Sequence, residues 1–496
     1  MKKTFYITTP IYYVNGLPHI GHAYTSFAAD VLARYHRLRG DDVFFLTGTD
    51  ENAQKNVESA EQAGKPVASY VAEMSAKWQE KFDELSLTHD DFIRTTEERH
   101  INGVKKFIKA VWDKGDIYKG KYTGLYCIGC ESFKTETDLV DGVCPDHRTR
   151  PKAVEEENYF FRLTKYRDAL IDHLKKNPDF VHPEARRNEI LRYISDAMTD
   201  ISITRPRKEW GIPFPPDETQ TIYVWFDALI NYLTGVGYGT DEKKFKKWWP
   251  ADVHLLGKDI LKFHCALWPA MLMAAGLPLP RRVFAHGFFT IDDQKISKTI
   301  GNVVDAMTLA SRYGLDAVRY FLFREIRLGS DGDFSETRLR ERYNADLANG
   351  LGNLVSRVLT LAERHTGRST PVELDEVTTC HSNYQSHLDA LDLSGALEDI
   401  WHLIGQLDAL IDREQPWKLA KTDPERLPDV LATLLESLRH VAVLLWPFLP
   451  ESAEKILSEL GVLELSRKTE YTKLTAWNSI TIDNKIKKGS NLFPRL

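Results

Sequence analysis

Lys3-Thr4-Phe5-Tyr6-Ile7-Thr8-Thr9 alternates around Phe5, Tyr6 and Ile7 and reads as a strand, after which Pro10 to Pro18, punctuated by Asn15-Gly16, reads as a loop. From Gly21 to Arg39 the apolar residues Phe27, Val31, Leu32 and Tyr35 recur at helical spacing, and Gly40 ends the run. Val43-Phe44-Phe45-Leu46 follows, a continuous apolar run of the kind shown by a strand buried on both faces. Strand, helix, strand is a βαβ unit, and it opens the chain.

A second α/β stretch comes late: Thr221-Ile222-Tyr223-Val224-Trp225, His254-Leu255-Leu256 and Val283-Phe284-Ala285 read as strands separated by helix-like segments such as Ile260–Ala275. Together the two stretches predict one doubly wound, Rossmann-type α/β domain with an insertion. The expected halves are residues 1–115 and 216–290, the inserted connective domain 116–215, and a lysine-loop region 291–345. Beyond residue 345 strand signals vanish. Leu347–Leu361, Leu388–Leu410 and Val430–Leu445, the last with Leu431, Leu434, Leu438, Val441 and Leu445 on one face, predict an all-α bundle over 346–465, followed by a polar tail at 466–496.

The 496 residues suffice for roughly three domains at about 100–200 residues each. With 43% apolar and 27% charged residues, disorder and collagen-like repeats are excluded. The most apolar stretches, Cys265–Pro280 and Val441–Pro450, fall short of the ~20 residues that span a bilayer, and no secretory signal opens the chain. A cytoplasmic protein without membrane contact is expected. With 65 Lys+Arg against 71 Asp+Glu the net charge is −6, so any nucleic-acid contact must use local basic faces.

Pro18-His19-Ile20-Gly21-His22 sits where the first strand hands over to the first helix. Free N–H groups and the positive dipole end favour phosphate there, and two imidazoles beside Gly21 can stabilise charge building on a transferring phosphorus. Ordinary helix capping is the alternative. A G-x-G-x-x-G dinucleotide signature is absent from this turn. Far later, Lys295-Ile296-Ser297-Lys298-Thr299 carries two lysines able to reach triphosphate oxygens, or else forms a solvated loop.

Cys127-x2-Cys130-x13-Cys144-x2-His147 has the paired spacing of a tetrahedral zinc knuckle. Four protein ligands leave no open position, so a structural Zn²⁺ is expected. Cys265 and Cys380 read as buried thiols.

His-Ile-Gly-His early and Lys-Ile-Ser-Lys late closely resemble the two signature motifs of class I aminoacyl-tRNA synthetases. Tyr12-Tyr13-Val14-Asn15-Gly16, Thr47-Gly48-Thr49-Asp50-Glu51, Tyr223-Val224-Trp225-Phe226-Asp227-Ala228, Gly257-Lys258-Asp259-Ile260 and Gln415-Pro416-Trp417 look like the methionyl-tRNA synthetase family, over essentially the whole chain. Ile296 and Thr299 stand where that family usually has Met and Ser, without loss of charge.

The resemblance implies ATP-dependent activation of L-methionine and its transfer to a methionine-accepting tRNA, with Mg²⁺ accompanying ATP. It places His19, His22, Lys295 and Lys298 in catalysis, and these with Gly21, Gly257 and Asp259 at ATP. Ile11, Tyr13, Trp225, Ala228, Leu229, Tyr232, Ile260 and His264 are implied to line the methionine slot, with Asp50 holding the substrate ammonium. Taken singly, these aromatics also suit a core. Asn349, Asn353, Arg357 and Trp417 resemble anticodon-reading residues, and Arg338, Arg340 and Arg342 offer either a local positive face or a solvated one. The resemblance puts the zinc knuckle in the connective domain. Longer family members carry an appended dimerisation domain beyond the Leu492-Phe493-Pro494-Arg495 segment; with the sequence ending at Leu496, a monomer is expected.

Overall fold

A computed structural model describes all residues except 1, 129–131, 135, 146–147, 207–209, 292–293, 296–303, 366–368, 463–470, 479–485 and 487, together with the side chains at 122–123, 132–133, 137, 294–295 and 471–472. The chain forms two units, one of Thr4–Pro18 and Phe44–His286, the other of Met1–Lys3, His19–Val43 and Gly287–Leu496.

The strands associated with the first unit are β1 (Thr4–Thr8), β2 (Tyr12–Tyr13), β3 (Asp42–Asp50), β4 (Asp91–Arg94), β5 (Ile117–Cys127), β6 (Ser132–Lys134), β7 (Lys152–Phe161), β8 (Val181–His182), β9 (Ile201–Ser202), β10 (Thr204–Pro206), β11 (Gln220–Ile222), β12 (Val253–Gly257) and β13 (Val283–His286). The main sheet runs β2-β3-β1-β12-β13-β8, with β4 also paired to β3. Its pairings β2–β3, β3–β4, β1–β12, β12–β13 and β13–β8 are parallel, which confirms the expected parallel sheet. From β1 the chain proceeds to β3 on one side, and the later strands β12 and β13 fill the other. The order therefore reverses between β1 and β12, and open α/β sheets bind ligands at the carboxyl ends of strands beside such a reversal. The core combines Leu46, Ile93, Phe107, Leu256, Trp268 and Ala285, among others. A second sheet, β6-β5-β7-β9, is antiparallel and long in its β5–β7 pair, and its strands fall between Ile117 and Ser202.

Two segments differ from the sequence reading. The strand expected over Thr221–Trp225 ends at Ile222, pairs antiparallel with β10 outside the main sheet, and gives way to a helical turn at Val224–Ala228. Burial is continuous from Ile222 to Thr234, and an unbroken apolar run does not distinguish strand from helix by periodicity. Ile260–Ala275 is no single helix either. A 3-10 turn at Lys258–Ile260 and a π-helical turn at Phe263–Leu267 precede the helix Trp268–Ala275, whose first turn accommodates Pro269.

In the second unit, β14 (Phe289–Ile291) pairs with β15 (Gln294–Lys295) and β16 (Gly332–Phe334). Helices Asn353–Arg364, Asp375–Asp389, Leu393–Glu414 and Leu427–Leu445 realise the expected bundle, with apolar stripes buried as the periodicity required. The N-terminal helix Ile20–Leu38 belongs to this unit and is buried along most of its length. Its Asp30 accepts from Arg34 Nε at 2.7 Å and Arg319 Nη2 at 2.8 Å, while Arg319 also donates to the carbonyls of Phe448 and Pro447 at 2.8 and 3.0 Å. Among the described residues, no helix is long and apolar enough to cross a membrane.

Candidate active site

His19 is the N-cap of the helix Ile20–Leu38. Its Nδ1 accepts from the Gly21 N–H at 3.1 Å, and its own N–H donates to His22 Nδ1 at 3.1 Å, a reciprocal capping box built from two imidazoles. The rings stack with centroids 3.7 Å apart. Because each Nδ1 accepts a hydrogen bond, a neutral ring here carries its proton on Nε2, as a donor. A Cβ on Gly21 would lie 3.0 Å from His19 Cε1 and 3.1 Å from Nδ1, so glycine is what lets the ring close over the backbone. Of the two alternatives, capping is thus the one the hydrogen bonds display. The helix's first N–H donates to the Val304 carbonyl at 3.0 Å. Lys295 is in β15, opposite Thr290, but its side chain and all of Lys298 lie outside the described residues.

In the first unit, the expected methionine-slot residues gather around the carboxyl ends of β1, β3 and β12. Asp50 closes β3, buried, opposite Tyr13 of β2. Ile11 and Tyr13 follow β1 and pack on the core, and Lys55 Nζ sits 3.5 Å from the Tyr13 ring centroid. Gly257 ends β12, and a Cβ there would come within 2.6 Å of Asp259 Oδ1.

Trp225 stacks on Phe263 at 4.0 Å and meets the His264 ring edge-on at 6.3 Å. Ala228, Leu229 and Tyr232 are buried on the short helical turns that continue from Trp225, whereas Ile260 is half-buried. His264 is fixed at both nitrogens. Nδ1–H donates to the Ile260 carbonyl at 3.1 Å, so Nε2 is the acceptor for the Tyr232 hydroxyl at 2.8 Å. Burial lowers the His264 pKa to about 4, keeping the ring neutral at physiological pH. Beneath it His254 lies 4.3 Å from the Tyr232 ring, bonded to Thr8 Oγ1 at 2.7 Å and accepting from Trp268 Nε1 at 3.3 Å. An apolar slot with a few fixed polar groups suits a thioether side chain. Sequence reasoning missed Phe263, and its stacking on Trp225 spans too many residues to show as periodicity.

In the helical region, exposed Asn349 and Asn353 and half-buried Arg357 are spaced by four residues along consecutive helical stretches. Arg357 is paired with Asp408 and Asp412 at 3.0 and 2.6 Å, and its guanidinium lies 5.8 Å from the ring of Trp417, itself 45% exposed. Asn349 accepts from Arg495 Nε at 2.9 Å. Arg338 and Arg342 both pair with Glu325 at 3.1 Å, which neutralises part of the expected positive face. Of the four residues expected to hold zinc, Cys127 and Cys144 are buried and Cys130 and His147 lie outside the described residues; among the described residues no group of three or more His, Cys, Asp or Glu is placed to hold a metal ion.

The family model for class I tRNA synthetases (M) matches residues 5–152 and 137–359, and that for the anticodon binding domain of methionyl tRNA ligase matches 363–496. Methionine–tRNA ligase of Caldanaerobacter subterraneus subsp. tengcongensis is 45% identical, over 100% of this chain and 79% of its own length. That of Thermotoga maritima is 44% identical over 99% and 80%. The structure of Mycobacterium tuberculosis methionyl-tRNA synthetase in complex with methionyl-adenylate superposes with a TM-score of 0.93 at 40% identity, covering 99% of this chain and 100% of that one. The parallel-sheet domain and the helical C-terminal region are thus matched by family models and by relatives along the whole chain, and the chain belongs to the methionine–tRNA ligase family of class I aminoacyl-tRNA synthetases.

Proposed function

We propose how this chain's residues carry out the two steps of methionine–tRNA ligation. In the first, a methionine carboxylate oxygen attacks the α-phosphorus of ATP, the bond to the β-phosphate bridge breaks, and pyrophosphate leaves. His19 and His22 donate from Nε2 to phosphate oxygens, with Gly21 allowing close approach, and Lys295 and Lys298 add charge as it builds. Gly257 and Asp259 hold the ATP ribose. The observation that carries this reading is the double-imidazole cap, in which both Nδ1 atoms are engaged as acceptors at one helix N-terminus and each Nε2 is left as the donor. Mg²⁺ accompanies the nucleotide.

Methionine's thioether enters the slot of Ile11, Tyr13, Trp225, Ala228, Leu229, Tyr232, Ile260 and His264, and its ammonium pairs with Asp50. In the second step a hydroxyl of the terminal tRNA ribose attacks the adenylate carbonyl, losing its proton as AMP leaves. Asn349, Asn353, Arg357 and Trp417 read unpaired anticodon bases by hydrogen bonding and stacking; the exposed Trp417 face beside Arg357 supports this.

Cys127, Cys130, Cys144 and His147 would hold a structural Zn²⁺, which would supply a cross-link between two turns and no reactive position. Two features support the fit. Cys127 ends β5 at the hairpin, opposite Ser132 of β6, and Cys144 accepts from Arg148 N–H at 2.7 Å through its carbonyl while its own N–H reaches the Thr149 carbonyl at 2.9 Å.

The test is pyrophosphate exchange into ATP with each amino acid in turn and no tRNA. Exchange confined to methionine is expected, and exchange with another amino acid overturns the slot. Lys298→Ala is expected to leave methionine binding largely intact while adenylate formation falls steeply; unchanged formation would overturn the lysine's role.

A further inference from the structure

Asp227 has no part in the reading above, yet it lies between Trp225 and Leu229 of the slot and is fully buried. Its Oδ2 accepts from Asn52 Nδ2 at 2.9 Å, and the Asn52 N–H donates to Asp50 Oδ1 at 3.1 Å. Its Oδ1 faces His100 Nε2 at 3.7 Å, beyond hydrogen-bond distance, and neither of these buried atoms has a hydrogen-bond partner among the described residues. A chain His100, Asp227, Asn52, Asp50 therefore runs beneath the amino-acid site.

The hydrogen bonds around it locate the protons. The Thr234 hydroxyl donates to the carbonyl of Ile230 or Asn231, at 3.3 Å each, so its oxygen accepts from His100 Nδ1–H at 3.0 Å. A neutral His100 then turns a lone pair on Nε2 toward Asp227. An ionised Asp227 would set a negative oxygen against that lone pair in a dry site, whereas a protonated Oδ1 offers it a hydrogen. The packing leaves little room for rearrangement, because a Cβ on Gly103, one turn beyond His100, would meet Thr234 Cγ2 at 2.2 Å.

We propose that Asp227 is a positioning residue for the amino-acid substrate: its neutral carboxyl group, wedged between His100 and Asn52, orients the Asn52 backbone N–H that fixes the Asp50 carboxylate. Burial agrees with this, raising the Asp227 pKa to about 8 and lowering that of His100 to about 3. The groups facing Asp227 are His100 and Asn52, with Asp50 beyond Asn52; Glu97 and Arg99 act on His100 with opposite sign. Neutral Asp227 holds Asn52 without adding a second anion beside Asp50. A second anion held by the same asparagine, through its side chain, would repel the Asp50 carboxylate held through its backbone N–H.

The inference rests on Asp50 binding the substrate ammonium, and its test separates the two. In pyrophosphate exchange with the full chain, Asp227→Ala is expected to raise KM for methionine about tenfold while KM for ATP stays within about twofold. Asp227→Asn keeps an oxygen for Asn52 and an N–H for His100, and is expected to restore KM to within about threefold of the parent. Between pH 7 and 9 the parent's KM for methionine should rise more than that of Asp227→Asn, since only the parent has the carboxyl to ionise, and the substrate's own titration cancels in the comparison.

Equal losses in the Ala and Asn variants, or superimposable pH profiles, would overturn the proposal. If Asp227→Ala does not fold, the Asn profile decides alone. Should Asp50→Asn leave KM for methionine unchanged, the ammonium assignment fails and this inference with it; a loss in Asp50→Asn with an unaffected Asp227→Ala overturns the inference alone.

Discussion

Gly21→Ala offers a sharp separation of catalysis from stability. The added Cβ would sit 3.0 Å from His19 Cε1 and 3.1 Å from Nδ1, and ordinary contact needs about 3.4–4 Å. The His19 ring must therefore retreat by a few tenths of an ångström or more, stretching the 3.1 Å bond from the Gly21 N–H and prising the ring from its 3.7 Å stack on His22. Alanine in place of glycine within a helix gains up to about 1 kcal/mol. Losing the cap bond costs a similar amount, about 1 kcal/mol, so folding stability should hardly change. The first chemical step should change greatly. Removing one donor from a developing oxyanion costs about 10²–10³-fold, and a displaced donor loses part of that, roughly 10–100-fold in kcat. Pyrophosphate exchange would read this as a fall in kcat with KM for methionine unchanged. A second check is coupling. Placed on a His19→Ala background, the same substitution should add nothing, because the ring it displaces is gone. An exchange rate within threefold of the parent, at unchanged melting temperature, would refute the claim that His19 acts through its present position.

Other expectations concern stability. Arg319→Met removes a fully buried guanidinium and orphans the carbonyls of Pro447 and Phe448, with Asp30 left to Arg34. A loss of about 3 kcal/mol is expected, read as a lowered melting transition; melting unchanged to within a degree would mean the pair contributes nothing. In the bundle, burial raises the Glu436 pKa, but hydrogen bonds and charge from Arg439 and His440 outweigh it and hold the carboxyl at about 2 against an ordinary 4.5. A depressed carboxylate contributes stability present above pH 4.5 and lost as pH falls toward 2, here up to about 3 kcal/mol. Denaturant titrations between pH 5 and 3 should show about 2 kcal/mol of that loss, and Glu436→Gln should flatten it.

What could be read in advance was whatever the chain encodes locally. The turn from Lys3 to His22, the apolar run at Val43 and the stripes of the later helices depend on neighbours a few residues apart, and they stand in the structure much as their patterns required. Thr221–Trp225 misled because its β-forming residues are consumed by a turn that swings Trp225 onto Phe263. The sequence offers no sign that Asn52 bonds Asp227, 175 residues away, or that His100 and Asp227 share an orphaned contact. Such pairings arise only when separate elements pack. The aromatics expected to line the methionine slot were named through resemblance and not through spacing, since Tyr232 and His264 meet across 32 residues.

The unit that contains the imidazole cap is threaded unusually. Its helix emerges among the first residues of the chain, but the rest of its unit begins only at Gly287, about 240 residues later. At roughly 5–20 residues per second of synthesis, that helix waits on the order of 10–50 s for the surfaces that will cover it. During this interval Tyr24, Phe27 and Tyr35 are without Phe289, Arg319 and Tyr384, the partners they meet in the finished fold, and that face stays exposed or takes temporary non-native cover. Nascent chains released before residue 287 should accordingly aggregate in proportion to the apolar face of this one helix, and a polar substitution on that face would ease the aggregation of the fragment while harming the finished enzyme.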